Sequence, residues 1–398
     1  MIYFDNGATT FPKPESVIRA VNSTLRSFGA NPGRSGHNMS LKASKIIYDC
    51  RVNCAKLFGL DTPESIIFTS NCTAALNTVI YGLLKKGDHV VISSLEHNAV
   101  LRPVEYMKTQ GVEYSVADYA PYDDDVTIDN FRQAVKENTR LVICTHASNV
   151  FGVKLPIERI AALCRIYGIL FCVDAAQSAG VVPINMKESG IDFLCTAGHK
   201  GLYGPMGTGI LAINTDQTPN SLIRGGTGSM SANREQPDIL PDKYESGTPN
   251  LPGIAGLNEG VRFVLSRNPM RLWKNEMYHA QRLYDRLSKT RGVILYTRRP
   301  EIENAVPVIS FNIKGLDSEQ TASILNDRFK IAVRAGLHCA PLAHEFYHTD
   351  DVGTVRAVMS AFTNTYQVDY LADSVRKICR NTKQNNPNFR TNTNLKNL

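Results

Sequence analysis

The chain has 398 residues, long enough for two or three domains or for one large domain with a smaller one appended. Hydrophobic residues make up 43% and charged residues 20%, an ordinary globular composition that excludes a disordered or fibrous chain. The formal net charge of +7 is spread thinly, favouring anionic small molecules or an acidic partner, with no Lys/Arg run of the kind that binds nucleic acid and no apolar run approaching the roughly 20 residues that span a bilayer.

Helical periodicity covers residues 15–28 and 39–58, separated by the Gly/Pro/Asn-rich segment 29–36, which reads as an ordered loop near a ligand or as a plain helix connection. Short apolar runs then alternate with helical stretches. Strands are expected at 66–69, 90–93, 141–144, 169–173, 193–196 and 209–213, with helices from about Thr73 and over 157–167. That rhythm predicts an α/β fold with a mainly parallel sheet sandwiched by helices, and ligands of such sheets gather at the carboxyl ends of the strands. A long amphipathic helix over 272–287 and strands at 308–313 and 331–333 predict a smaller α+β domain. The expected division is 15–265 for the large domain, 1–14 with 266–380 for the small one, and 381–398 as a flexible tail poor in apolar residues. Met1-Ile2-Tyr3-Phe4-Asp5 has no basic or apolar leader pattern, and the nine cysteines form no paired framework. Reduced thiols in a cytoplasmic protein are therefore expected, most of them small core residues.

The residues that carry chemistry fall near strand ends. Thr196-Ala197-Gly198-His199-Lys200-Gly201 puts a lysine in a glycine-rich turn just after a strand. Val173-Asp174-Ala175-Ala176-Gln177 puts an acid at a neighbouring strand end. Such a lysine can form a Schiff base with an aldehyde, and such an acid can keep a ring nitrogen protonated. Those are the two services that pyridoxal phosphate (PLP) requires of its protein. The turn Asn71-Cys72-Thr73 opens a helix whose free N–H groups suit a phosphate, although hydroxyl caps occur on any helix. His97, in Glu96-His97-Asn98, is either a ring-stacking residue or an ordinary loop histidine. Cys339, in Arg334-Ala335-Gly336-Leu337-His338-Cys339-Ala340, is either a nucleophile activated by its cationic neighbours or a small buried hydrophobe. Arg356 can hold a carboxylate with two parallel hydrogen bonds.

Taken in order, these motifs resemble those of the cysteine desulfurases, within the class V aminotransferase group of PLP enzymes. The resemblance runs from Tyr3-Phe4-Asp5-Asn6-Gly7-Ala8-Thr9-Thr10 to about residue 375, through Asn31-Pro32-Gly33-Arg34, Ser148-Asn149 and Gly247-Thr248-Pro249-Asn250. The short Arg-x-Gly-x-His-Cys-Ala form resembles the second desulfurase group, which includes selenocysteine lyase-like enzymes. The resemblance implies PLP-dependent transferase fold type I and conversion of L-cysteine to L-alanine, with a persulfide on Cys339 passed to a sulfur-acceptor protein. It implies that Lys200 bonds to the cofactor and moves the Cα proton, that Asp174 holds the ring nitrogen, and that His97 stacks on the ring. Gln177 and Asn149 would contact the ring-oxygen side, while Asn71, Cys72, Thr73 and His199 would hold the phosphate end. Arg356, Asn149, Arg334 and Ala8 would meet the substrate. Thr248 would reach the phosphate of the other subunit, implying a homodimer, and no metal is implied. Ala197 stands where relatives commonly have Ser or Thr, Cys72 replaces a small residue or Thr, Ala74 a Glu, and Gly7 an Ala.

Three other functional readings compete. One keeps the fold but acts as a selenocysteine lyase, another C–S lyase or an aminotransferase. One is a non-catalytic partner protein of the same fold. The third is a zinc metalloprotease, from His344-Glu345-Phe346-Tyr347-His348, since His-Glu-x-x-His on a helix places two imidazoles on one face.

Overall fold

A computed structural model describes residues 1–33 and 35–385, with side chains through 382. Arg34 and most of the expected tail, residues 386–398, lie outside the described residues.

Twelve strands occur among the described residues. In chain order they are β1 (Ile2–Tyr3), β2 (Ile66–Thr69), β3 (His89–Ser93), β4 (Glu113–Ala117), β5 (Thr139–Thr145), β6 (Leu170–Asp174), β7 (Phe193–Ala197), β8 (Gly209–Ile213), β9 (Val293–Leu295), β10 (Val308–Ile313), β11 (Ile331–Ala332) and β12 (Val355–Val358). Seven of them form one sheet in the order β2-β8-β7-β6-β5-β3-β4. Pairs from β4 to β7 are parallel, and β8 runs antiparallel to both β7 and β2. Alternation sorts the strand residues onto two covered faces. Val91, Val142, Cys144, Phe171, Val173 and Leu194 pack on one face with Phe131, Ile160 and Ile254. Val90, Ile92, Leu141, Ile143, Cys172, Phe193 and Cys195 pack on the other with Leu76, Ile80 and Val104.

The parallel strands bring Ser93, Thr145, Asp174 and Ala197 to one edge of the sheet, and the site is built there. Gly209 lets the antiparallel strand β8 press against the Asn71 turn, since a Cβ there would lie 2.4 Å from the Asn71 carbonyl carbon.

A three-stranded antiparallel sheet, β12-β10-β9, packs with the helices Pro269–Ser288, Ser318–Phe329 and Thr365–Asn385 around Phe311, Leu325, Val355 and Leu371. The N-terminal strand β1 pairs in parallel with β11, and Asp5 bridges to Val358. Residues 381–385 continue the last helix where the sequence predicts a tail, and Ile378 and Cys379 on that helix are buried in the core. β4 and β12 were not expected from the sequence. β4 is a half-exposed edge strand, and β12 carries a charged residue inside an apolar run.

Candidate active site

Asn71, Cys72, Thr73, His97, Asn149, Asp174, Gln177, His199 and Lys200, expected at the site from sequence, line one cavity of about 110 Å³ together with Ala99, Thr145, Ala147, Ala176 and Ala197. Each arrives from a strand end or a helix start. Asn71 is the cap of helix Cys72–Leu83, its Oδ1 accepting from Ala74 N at 2.9 Å. The N–H groups of Cys72 and Thr73 at that helix start have no intrahelical acceptor and are available to an anion. His97 caps helix Asn98–Thr109, its Nδ1 accepting from Ala99 N at 3.0 Å. That bond fixes the neutral tautomer, and burial lowers the imidazole to about 4. A neutral flat ring therefore lines the cavity.

Asp174 Oδ1 accepts from Ala176 N at 2.9 Å and lies 3.5 Å from the Cys72 thiol. Its other oxygen has no hydrogen-bond partner among the described residues. Burial, then the nearby Asp174 carboxylate, raises the Cys72 thiol well above its ordinary value, so it stays protonated. Lys200 is lowered from its ordinary value, chiefly by burial, with Asp174 opposing and Arg356 and Arg334 assisting. Burial together with Lys200 and Lys13 holds His199 at about 4, and its buried Nδ1 has no partner. Gln177 Nε2 donates to Gly7 O at 3.0 Å. Thr196 Oγ1 turns away to Ala175 O, 3.2 Å, so Ala197 faces the cavity without a hydroxyl to replace the missing one.

Arg356, Arg334, Ala8, Cys339 and Thr248 do not line this cavity. The first four join it through shared bonds. Arg356 is 1% exposed. Its Nη1 donates to Asn149 O at 2.6 Å, its Nη2 pairs with Asp5 Oδ1 at 3.2 Å, and its Nε has no partner. Burial lowers it to about 10, with Asp5 pulling it back up, so it is cationic at neutral pH and keeps one donor unused. Arg334 pairs with Arg356 through the backbone and brings Nη2 to 3.9 Å from Cys339 Sγ. Ala8 N donates to Asp5 O at 3.1 Å, in the turn beside Arg356. The Cys339 carbonyl accepts from Asn98 N at 2.7 Å, next to His97. Thr248 lies instead in a neighbouring exposed groove with Ser70, Asn77, Leu222 and Ile223.

The sequence places His338 among the neighbours that would activate Cys339, and the structure corrects this. The His338 ring turns inward to Thr354 O at 2.9 Å, and burial with Arg356 lowers it to about 2. An imidazole that is neutral and turned away supplies no cation to the thiol. The metalloprotease pattern fails as well. Helix Pro341–Phe346 ends before His348, which is exposed at φ 52°, while His344 is fully buried with Nδ1 2.7 Å from Thr349 Oγ1. Among the described residues no group of three or more His, Cys, Asp or Glu could hold a metal.

Several participants had no sequence signal strong enough to find them. Asp5 meets Arg356 across a separation of 351 residues. Glu96, fully buried, accepts from Thr145 N at 2.6 Å and from Ser93 Oγ, and burial pushes it to about 8. Lys13 Nζ binds His199 O at 2.7 Å and Thr10 Oγ1 at 2.8 Å.

The cavity thus offers a desolvated amine, a carboxylate oxygen with no partner, a helix start and a neutral flat ring. Those donors fit a small planar aldehyde bearing a phosphate. They define the type of site found in PLP enzymes of fold type I. The family model for aminotransferase class V matches residues 2–371. A probable cysteine desulfurase of Methanothermobacter thermautotrophicus is 32% identical over 386 residues, covering 95% of this chain and 94% of that protein. Another from Pyrococcus abyssi is 32% identical over 93% of this chain and 92% of its own length. The apo structure of a cysteine desulfurase from Thermococcus onnurineus superposes with a TM-score of 0.88 at 30% identity, covering 96% of this chain and 95% of that one. The chain belongs to the class V aminotransferase family, and the relatives it resembles there are cysteine desulfurases.

Proposed function

We propose that this protein is a PLP-dependent L-cysteine desulfurase that yields L-alanine and a persulfide on Cys339. One observation carries the assignment of the sulfur carrier: of nine free cysteines, eight are buried and Cys339 alone is exposed. Its loop is also hydrogen-bonded to the elements that line the Lys200 cavity, through Asn98 N and the Asn149 side chain.

In this reading Arg356 Nε, with Arg334 nearby, takes the substrate carboxylate and fixes the face presented to Lys200. Asp174 would hold the ring nitrogen, Thr73 and the helix start would hold the phosphate, and His97 would cover the ring. When bound, PLP supplies an electron sink for negative charge at the substrate Cα. The Lys200 amine, whose hold on its proton burial weakens, takes the proton from the substrate Cα and later returns it. Cys339 Sγ attacks the substrate sulfur, and the Cβ–S bond breaks with its electron pair passing to Cβ. A proton reaches Cβ, matching the one the Cys339 thiol gives up, Cα regains its own to complete alanine, and the sulfur stays on Cys339 as Cys–S–SH, to be passed on to an acceptor.

The division into a large domain over 15–265 and a smaller one carrying Cys339 belongs to the same proposal. So does a homodimer. Exposed Leu222 and Ile223 beside Thr248 give a second copy an apolar face to cover. No helix among the described residues is long and apolar enough to cross a membrane, and a cytoplasmic location is part of the reading.

Purified protein incubated with L-cysteine and a reductant is expected to release alanine and sulfide in equal amounts. Cys339→Ala should lower that rate by about 100-fold or more while the cofactor absorbance persists. A rate unchanged by Cys339→Ala rejects the persulfide route. Retained activity of that variant on selenocysteine alone would favour the lyase alternative.

A further inference from the structure

We infer that His338 is a positioning residue for the sulfur-carrying loop. The inference rests on the desulfurase reading for what the loop carries, but not for how the loop is held.

The loop needs holding. His338 and Cys339 are consecutive non-glycine residues in the left-handed region, with φ of 50° and 58°. Such backbone persists only where its surroundings over-determine it. Three bonds flank the two residues. Asn149 Nδ2 donates to His338 O at 2.8 Å, Asn98 N donates to Cys339 O at 2.7 Å, and Ala340 N donates to Leu337 O at 3.0 Å. All three act on carbonyl groups. The polar side chain that anchors the loop from inside is His338, 3% exposed between the exposed Leu337 and Cys339, with the small Ala340 buried beyond it.

The His338 ring is held on two sides. Nε2 lies 2.9 Å from Thr354 O, and a carbonyl only accepts, so Nε2 carries the proton. Thr354 immediately precedes β12, the strand that carries Arg356. The ring also stacks on His344, centroids 5.9 Å apart with planes at 23°. His344 is fixed in turn by Thr349 and by Phe151 at 5.7 Å. The first histidine of the failed metal motif therefore has a packing role. Arg356 and Cys339 are linked through a short path: Cys339, His338, Thr354 and β12. A neutral imidazole in this place transmits geometry and not charge.

The holoenzyme with His338→Ala, His338→Gln and Cys339→Ala tests this. Steady-state kinetics with cysteine are combined with hydrogen exchange of peptides covering 334–340 and 96–100. In His338→Ala, kcat should fall about tenfold with KM within about twofold and cofactor absorbance retained. The backbone of both peptides should exchange faster. His338→Gln, whose amide N–H reaches outward as Nε2 does, should restore most of kcat and of the protection. Wild-type kcat and protection in His338→Ala would overturn the inference, as would a Gln variant as impaired as the Ala one. Equal cysteine turnover by wild type and Cys339→Ala would instead overturn the desulfurase reading. The exchange comparison needs no turnover and decides on His338 in either case.

Discussion

Gly7 shows how narrow the tolerances around Arg356 are. A Cβ at this position would stand 3.0 Å from Arg356 Cζ, Arg356 Nη2 and Val358 Cγ2 alike. The guanidinium is held by Asn149 O and Asp5 and cannot retreat without breaking one of those bonds. Gly7→Ala is therefore expected to raise KM for cysteine about tenfold and to change kcat less, measurable in a simple saturation curve. An unchanged KM would mean that Arg356 has slack the geometry does not show. At this scale the sequence was most legible where chemistry is local. Lys200 in its glycine-rich turn, Asp174 at a strand end and Cys339 beside Arg334 all carry their meaning within a few residues. Asp5 was not legible, because its significance comes from a guanidinium 351 positions away. Neither was the direction of the His338 ring, which depends on a carbonyl that only the folded chain brings near.

Among elements, the helix Cys72–Leu83 does the most for the site. Asn71 both caps it and lines the cavity, so one side chain sets the angle at which the free N–H groups arrive. Asn71→Ala removes the cap and should cost about 1 kcal/mol of stability. The same displacement should loosen PLP about fivefold, read as a higher dissociation constant by equilibrium dialysis against fluorescence of the free cofactor. Undiminished affinity would show that the helix start does not depend on its cap. Strands β2 and β8 and the helix Ile157–Tyr167 have the bounds expected from the sequence, because all three are clean apolar or amphipathic runs. β12 escaped notice because Arg356 interrupts its apolar pattern, although that residue is 1% exposed. A charge buried for function looks, in sequence, like a charge on a surface.

Over the whole molecule, Tyr203 and Glu276 join the Lys200 loop to the second half of the chain. Tyr203 OH donates to Glu276 Oε1 at 3.1 Å and accepts from Ala361 N at 2.8 Å, and its ring packs on Phe263 and Phe362. Burial lifts the Glu276 carboxyl from 4.5 to about 8. The folded protein thus keeps a proton that the unfolded chain has already released. The stability this group allows is complete below about pH 4.5 and is lost as pH rises through about 8. Glu276→Gln keeps an acceptor for Tyr203 and cannot ionise. Between mildly acidic and mildly alkaline buffer, the wild-type Tm should fall about 2–4 °C further than that of the variant, followed by calorimetry. Parallel curves would show that Glu276 titrates as if in water.

The N-terminal segment has a temporal consequence. Ile2 and Tyr3 zip onto Ile331 and Ala332, Asp5 locks to Arg356, and Thr10 and Lys13 clasp the carbonyls at 199 and 200. Residues 2–5 must therefore wait, undocked, until residues 331–356 have been made. The large sheet and the clasp on the amine-bearing turn can assemble while translation continues, but the Asp5–Arg356 pair closes only once residue 356 has emerged. A nascent chain stalled before residue 331 should be folded over most of its length and still lack the anchor for its residues 2–5.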